Sequence, residues 1–426
     1  MRIQINNGHV IDPANRIDAV NNLAIDNGRI ISVGQIPSGF SADREIDASG
    51  LIICPGLVDL YAHLREPGDE HKATIASETH AAARGGITTL CCPPDTQPII
   101  DTPAVATLIY DLAQAAGMAN VLPLGALTQQ LAGEQLSTMH ALKEAGCVGV
   151  TQASKPMQNN LILLRAMEYA ATHNLTLFLR AEDNFLADQG CVHNGPVGTR
   201  LGLAGIPTAA ETVAIATALA LAEETGVKIH FAMLSTARAV RLIARARYNG
   251  LPVSASVSAH QLHLTDMDIL DFDSRCHVRP PLRSQRDREG LREGIRDGTI
   301  TAIASDHQPH EADAKIAPFS ETAVGISSLE TLLPLALQAG AETDLDLSTI
   351  IASLTTGPAN ILGIDAGTLT VGSTADICIF DPDSYWLLDK ASMVSRGHNT
   401  PFLDWELKGE VCYTIFNGRC VYEKQA

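Results

Sequence analysis

Between residues 56 and 305 the chain repeats one grammar eight times: a short apolar run, then a stretch with helical spacing. The runs occupy 56–59, 87–92, 121–125, 148–151, 176–181, 228–233, 253–257 and 300–305. Continuous apolar runs of about five residues suit strands buried on both faces, and intervening helices are what parallel strands need as crossovers. The spacing predicts helices over 75–84, 162–173, 211–225 and 238–249, several closed by glycine near the C-cap. Eight such units form an α/β protein, a (β/α)8 barrel over 55–364, with any chemistry at the C-terminal ends of its strands.

The two chain ends follow a different rule. Arg2-Ile3-Gln4-Ile5-Asn6 and Leu23-Ala24-Ile25-Asp26-Asn27-Gly28-Arg29-Ile30-Ile31 alternate apolar with polar positions, as do Ala375-Asp376-Ile377-Cys378-Ile379-Phe380 and Tyr413-Thr414-Ile415-Phe416. Asn417-Gly418 is a hairpin turn leading into Cys420-Val421-Tyr422. Short antiparallel strands are expected, with 1–54 and 365–426 sharing one small β-sandwich domain.

Composition excludes several classes of function. Of 426 residues 46% are hydrophobic, ample for a large core. With 30 basic against 48 acidic residues the net charge is -18, which disfavours a phosphate-backbone partner, so no nucleic acid is expected. The first twelve residues carry neither a basic nor an apolar leader-like stretch. The longest helical apolar stretch, 209–222, is broken by Glu211 and too short for a bilayer, so no membrane partner is expected. The nine cysteines include no C-x-x-C pair, which points to reduced core residues and a cytoplasmic location.

Several strings in fixed order carry a resemblance. Pro55-Gly56-Leu57-Val58-Asp59 runs into His63-Leu64-Arg65-Glu66-Pro67-Gly68; Ala82-Ala83-Arg84-Gly85-Gly86-Ile87-Thr88-Thr89 and Leu201-Gly202-Leu203-Ala204-Gly205-Ile206-Pro207 follow. Later come Pro280-Pro281-Leu282-Arg283, Ser305-Asp306-His307-Gln308-Pro309-His310 and Gly325-Ile326-Ser327-Ser328-Leu329-Glu330-Thr331. Over nearly its whole length the chain resembles the amidohydrolase superfamily, specifically the dihydroorotases. The resemblance implies a two-zinc hydrolase with paired histidines after strand 1, a bridging carboxylate after strand 4, histidines after strands 5 and 6, and an aspartate after strand 8.

Position by position, that ligand set is depleted. Tyr61 stands at the first histidine and His63 at the second; Gln152 and Ala153 fill the place of two aspartates. Arg180 stands at the strand-5 histidine, Met233 at the strand-6 histidine, and Asp306 remains. His63 and Asp306 are the residual ligand positions, and two donors do not retain catalytic zinc, which takes three protein ligands and a water. No cofactor is therefore expected and Asp306 is vestigial as a catalytic group. His63 reads equally as a core histidine bonded to backbone, and Asp306 as the partner of a basic neighbour. A buried Arg180–Asp306 ion pair is predicted across the place of the metal, since either charge alone is costly to bury.

The substrate side is mixed. Arg65 matches the arginine that grips the substrate carboxylate in the resembled family, or serves only as a structural ion-pair partner. Asp95 replaces an asparagine there, and Arg279 a small amide. His230, His260, His307 and His310 lie near the mouth and could complete a one-zinc site in an active dihydroorotase, the competing reading; a metal-free sensor holding a carboxylate metabolite through Arg65 is a third. The nearest resemblance, in strings such as Ala76-Ser77-Glu78-Thr79 and Cys91-Cys92-Pro93-Pro94, is to inactive dihydroorotase-like chains of bacteria. That resemblance implies a structural subunit for the aspartate transcarbamoylase catalytic chain, in a homo- or hetero-oligomer.

Overall fold

The computed structural model describes residues 1–425 apart from positions 156 and 158. Its centre is the (β/α)8 barrel, with strands Leu57–Asp59, Ile87–Cys92, Asn120–Pro123, Gly149–Thr151, Thr176–Arg180, Ile229–Ala232, Val253–Ser258 and Ala302–Ala304. The expected third run, 121–125, divides into Asn120–Pro123 and Gly125–Ala126. The first piece pairs with Ile87–Cys92 and the second with Gly149–Thr151. Proline 123 lacks an N–H, so the ladder cannot run unbroken through it. Between the last strand and the first, side chains and loop backbone close the ring. Ser305 N–H donates to Asp59 Oδ1 at 2.8 Å, and His63 N–H to the His307 carbonyl at 2.8 Å.

The barrel interior is packed by Val58, Leu60, Tyr61, Cys91, Leu122, Phe178, Ala232, Met233, Ala302 and Ala304. Tyr61 and Met233, each 1% exposed, therefore belong to the core. The helices build the outer layer at the expected places, including Ile75–Arg84, Asn160–Thr172, Thr208–Thr225 and Ala237–Tyr248. The first starts at a capping box in which Thr74 and Ser77 exchange side-chain to backbone hydrogen bonds at 3.1 and 3.0 Å, satisfying two otherwise orphaned N–H groups.

Both chain ends meet in one eight-stranded sheet. Its order is Arg419–Glu423, Glu406–Phe416, Ile377–Leu387, Ile52–Pro55, Arg2–Asp12, Ile17–Asp26 and Arg29–Gly34, with Arg44–Asp47 also beside Arg2–Asp12. It encloses its own core of Ile3, Ile5, Val10, Leu23, Ile25, Ile53, Ile377, Ile379 and Ile415. The expectation of purely antiparallel strands needs correcting. Arg44–Asp47 and Ile52–Pro55 both run parallel to Arg2–Asp12, because the chain returns over the intervening hairpin before entering the barrel.

The segment 394–399, allotted to the terminal domain by dividing the sequence at 364/365, is bonded to the barrel instead. Ser395 Oγ donates to Glu78 Oε2 at 2.6 Å, and Asn399 Nδ2 to the carbonyls of Gln308 and Gly325 at 2.9 and 3.0 Å. Among the described residues no helix is long and apolar enough to cross a membrane.

Candidate functional site at the barrel mouth

The C-terminal strand ends gather most of the sequence-predicted positions. Arg180 closes the fifth strand and Asp306 follows the eighth; Arg180 Nη1 stands 3.6 Å from Asp306 Oδ1, with side chains only 9% and 2% exposed. The expected ion pair is thus formed. The other guanidinium nitrogen donates to the Arg279 carbonyl, and the guanidinium lies 5.6 Å above the Tyr61 ring, in cation–π range. Burial works against the Arg180 charge, but Asp306 and Tyr61 outweigh it and hold the guanidinium pKa above its ordinary value. Gln308 Nε2 donates to Asp306 Oδ1 at 3.2 Å.

His63 is not the backbone-bonded core histidine that one reading expected. Its Nε2 lies 3.0 Å from Asp95 Oδ2, so its partner is a side chain and not the backbone, and its Nδ1 is buried without a partner. Burial pushes the Asp95 carboxyl upward, but the charge and hydrogen bond of His63, with Arg65, pull it down to about 2. The carboxylate at position 95, which replaces an amide in the resembled family, is accommodated by pairing with the surviving histidine.

Arg65 forms no ion pair among the described residues. Its Nε donates to the Pro309 carbonyl at 3.0 Å and its Nη2 lies 3.1 Å from His310 Nε2. Burial lowers its pKa, with Asp95 and Asp69 opposing. It lines a cavity of about 310 Å³ with His63, Asp95, Gln97 and Lys155. A second cavity, of about 140 Å³, is lined by Ala153, Arg180, Glu182 and Phe185.

Ala153 is 4% exposed and offers no donor. Its neighbour Gln152 is committed to Thr128 and to the Leu131 carbonyl, each at 2.9 Å. Arg65, Ala153, Met233 and Asp306 all adopt left-handed backbone, with φ of 65°, 53°, 56° and 50°. Such conformations are uncommon outside glycine and cluster where strand ends turn sharply into functional loops. Of these four, Arg65 and Asp306 match the resembled family and Ala153 and Met233 do not, yet all four turns share the conformation.

Of the histidines available to rescue a metal, His230 and His307 have both ring nitrogens engaged, whereas His260 and His310 use only Nε2 and keep a buried Nδ1 without a partner. His230 points into the barrel with both ring nitrogens 2.9 Å from serine hydroxyls, Ser254 and Ser256, and burial pushes its pKa down to about 3. His307 bonds Glu78 at 2.9 Å through Nε2 and accepts from Ser328 N–H at 3.0 Å through Nδ1. His310 Nε2 bonds the Val324 carbonyl at 2.9 Å. His260 meets Ser258 at 3.2 Å, and burial lowers its pKa to about 4. Among the described residues no three His, Cys, Asp or Glu side chains converge as a metal site.

The donor set does not fit zinc. At ~4 Å and an effective dielectric of ~20, a unit charge beside a guanidinium costs about 4 kcal/mol, and a divalent ion about twice that. Asp306 would have to exchange Arg180 for the ion, and among the described residues no three donor side chains converge to compensate.

Sequence reasoning missed the Arg279–Glu182 fork. Arg279 Nε reaches the Glu182 oxygens at 2.9 and 3.0 Å and Nη2 reaches Oε1 at 2.5 Å, tying the loop after strand 5 to the loop carrying Pro280. The available signal was the arginine at 279 in place of a small amide, which requires an anion within reach.

Two family profiles cover the chain: a Dihydro-orotase-like family over residues 50–239 and an Amidohydrolase family over 193–422. A "Dihydroorotase-like protein" of Pseudomonas aeruginosa is 50% identical over 423 residues, 99% of this chain and 100% of that one. This chain is a dihydroorotase-like member of the amidohydrolases. A "Dihydroorotase" of a Geobacter species is 41% identical over 99% of this dihydroorotase-like chain and 100% of its own length. The solved L-hydantoinase of Arthrobacter aurescens superposes with a TM-score of 0.89 at 24% identity, covering 100% of this chain and 96% of its own. That likeness establishes the shared barrel and β-sandwich fold.

Proposed function

We propose that this dihydroorotase-like chain is a metal-free pseudoenzyme that serves pyrimidine biosynthesis in the cytoplasm as a structural subunit for the aspartate transcarbamoylase catalytic chain. The observation that carries the loss of catalysis is the buried Arg180–Asp306 pair, 3.6 Å apart. It uses the one acidic ligand left and puts a permanent cation where a divalent ion would need to sit. Without a Lewis acid or an activated water, opening a cyclic amide has neither electrophilic assistance nor a nucleophile. The assembly role rests on the resemblance to inactive bacterial chains, and the retention of an intact barrel with a rebuilt mouth suits a chain kept for its surface.

The test is direct. Purified protein is expected to hold well under one zinc per chain by elemental analysis and to leave dihydroorotate and N-carbamoyl-aspartate unchanged. It is expected to co-elute with the transcarbamoylase of its cell and to raise that enzyme's activity. Stoichiometric zinc with turnover of dihydroorotate would establish the one-zinc hydrolase; separate elution with an unchanged rate would remove the assembly role.

A further inference from the structure

Away from the mouth, the outer helix Ala237–Tyr248 has an unusual face. Its buried side is Ala239, Val240, Ile243 and Ala246. Arg238, Arg241, Arg245 and Tyr248 stand at i, i+3, i+7 and i+10, which at 100° per residue places them on one stripe opposite the buried one. All four are exposed, and Tyr248, at 92%, is the most exposed large hydrophobic side chain among the described residues. None of the three arginines makes an ion pair or a side-chain hydrogen bond among the described residues. On a chain of net charge -18, three exposed arginines with no ion-pair partner are a local reversal of sign, with Asp287 the nearby carboxylate at the start of the helix, where it accepts from Ala237 N–H at 3.1 Å.

A second feature adjoins the C-terminal end of this stripe. A groove of about 390 Å³ opens under the barrel, lined by Leu251, Pro252, Val253 and Ile361 with Lys228 and Arg247 at its edge. Arginine and tyrosine are enriched among residues that dominate binding energy, and an apolar pocket beside them is the usual seat of an anchor side chain. The net acidity of the whole molecule disfavours a nucleic acid, whose charge would be repelled everywhere but here.

We infer that the Arg238–Arg241–Arg245–Tyr248 stripe and its adjoining groove form a docking surface for an acidic segment of a partner protein, which places carboxylates along the arginines and one apolar side chain in the groove. The inference deepens the assembly reading above and rests on it for the partner, the transcarbamoylase catalytic chain. It places contact on the outer wall and floor of the barrel, remote from the rebuilt mouth, so loss of catalysis leaves the interface untouched.

The experiment measures binding of full-length protein to purified transcarbamoylase by calorimetry and co-elution. The variants are R238E/R241E/R245E, Y248A, and a control of equal charge change on other faces, R165E/R200E/R419E. The stripe reversal is expected to weaken binding at least about 100-fold, since like charges then face each other, and Y248A about 10-fold; the control stays within about threefold. Melting temperature verifies folding, and R238Q/R241Q/R245Q gives a loss between wild type and reversal if the stripe acts through charge. Raising the salt on the wild-type complex is expected to weaken it more than it weakens the reversal variant. Wild-type binding with the reversal variant equally tight overturns the docking surface and leaves the assembly reading standing. No binding by wild type overturns both. Displacement of the partner by a short RNA that the reversal variant does not bind reassigns the stripe to nucleic acid and overturns the inference.

Discussion

The centre of the mouth and the frame just beneath it solve the same problem, a carboxylate out of water, in opposite ways. At the centre each acid meets a single basic partner: Asp306 with Arg180 at 3.6 Å, Asp95 with His63 at 3.0 Å. In the frame each acid accepts from at least two hydrogen-bond donors, and Glu78 from several segments. Glu78 accepts from His307, Ser395, Ser77 and Arg396 N–H at 2.9, 2.6, 2.7 and 3.2 Å. Glu211 holds Ser235 N–H at 2.7 Å and the Thr236 hydroxyl. Asp59 receives both donors of Ser305. The difference is one of replaceability. A pair can be exchanged as a unit, because removing both charges leaves no charge stranded and only the Arg279 carbonyl without its donor; a carboxylate shared among many donors cannot, because its loss orphans all of them.

The largest expected effect is therefore in the frame. Glu78→Ala should lower stability by about 5 kcal/mol, the summed penalty of several buried donors left without an acceptor, read from thermal and denaturant unfolding. Arg180→Met follows at about 3 to 5 kcal/mol, because Asp306 is then buried alone. The comparison is sharpest in the double variant Arg180→Met with Asp306→Asn, expected within about 1.5 kcal/mol of wild type. Asparagine tolerates the left-handed backbone of position 306, where φ is 50°. A double variant as damaged as the single one would show that the two regions do not differ in kind.

Acid titration separates the same regions with smaller effects. Asp59 is raised by burial from its ordinary value to about 6, with Ser305 opposing. Its native state holds the proton more tightly than the unfolded chain, so stability should fall as pH rises from about 4 to about 6 and then level off. Asp95 is depressed to about 2, so its contribution is present above about 4 and lost as pH falls from there toward 2. Stability against pH should lose its slope above 4 in Asp59→Asn and its slope below 4 in Asp95→Asn. Smallest of all, Arg165→Ala removes an exposed pair with Glu168 at 2.8 Å and should change stability by less than about 0.5 kcal/mol.

Much of the fold was legible because it is written in periodicity. The apolar runs at 87–92 and 176–181 and the helix over 75–84 depend on local spacing, and the structure places Ile87–Cys92, Thr176–Arg180 and Ile75–Arg84 there. The division at Leu124 and the parallel pairing of Ile52–Pro55 were not legible, since both depend on which distant strand lies alongside. At the site, position 180 could be read as a cation facing Asp306, because opposite charges at C-terminal strand ends of one barrel meet at the same mouth. The partner of His63 could not: the sequence offers Asp95 as a repulsive group for a substrate, and only the meeting of two loops makes it the histidine's acceptor. Arg279 and Glu182 are of the same kind, 97 residues apart and joined by a fork that no local pattern announces.

The sequence by itself determined the barrel and the joined chain ends, since these follow from the identity and spacing of residues along one chain. The tertiary structure alone decided which remaining charges found a counter-charge and which, like Arg65, did not, which hydrogen bonds the four histidines near the mouth make, and that 394–399 is bonded to the barrel. The physical reason is that hydrogen bonds and ion pairs act over a few ångströms of space whatever the distance along the chain, whereas burial leaves its mark in every local repeat.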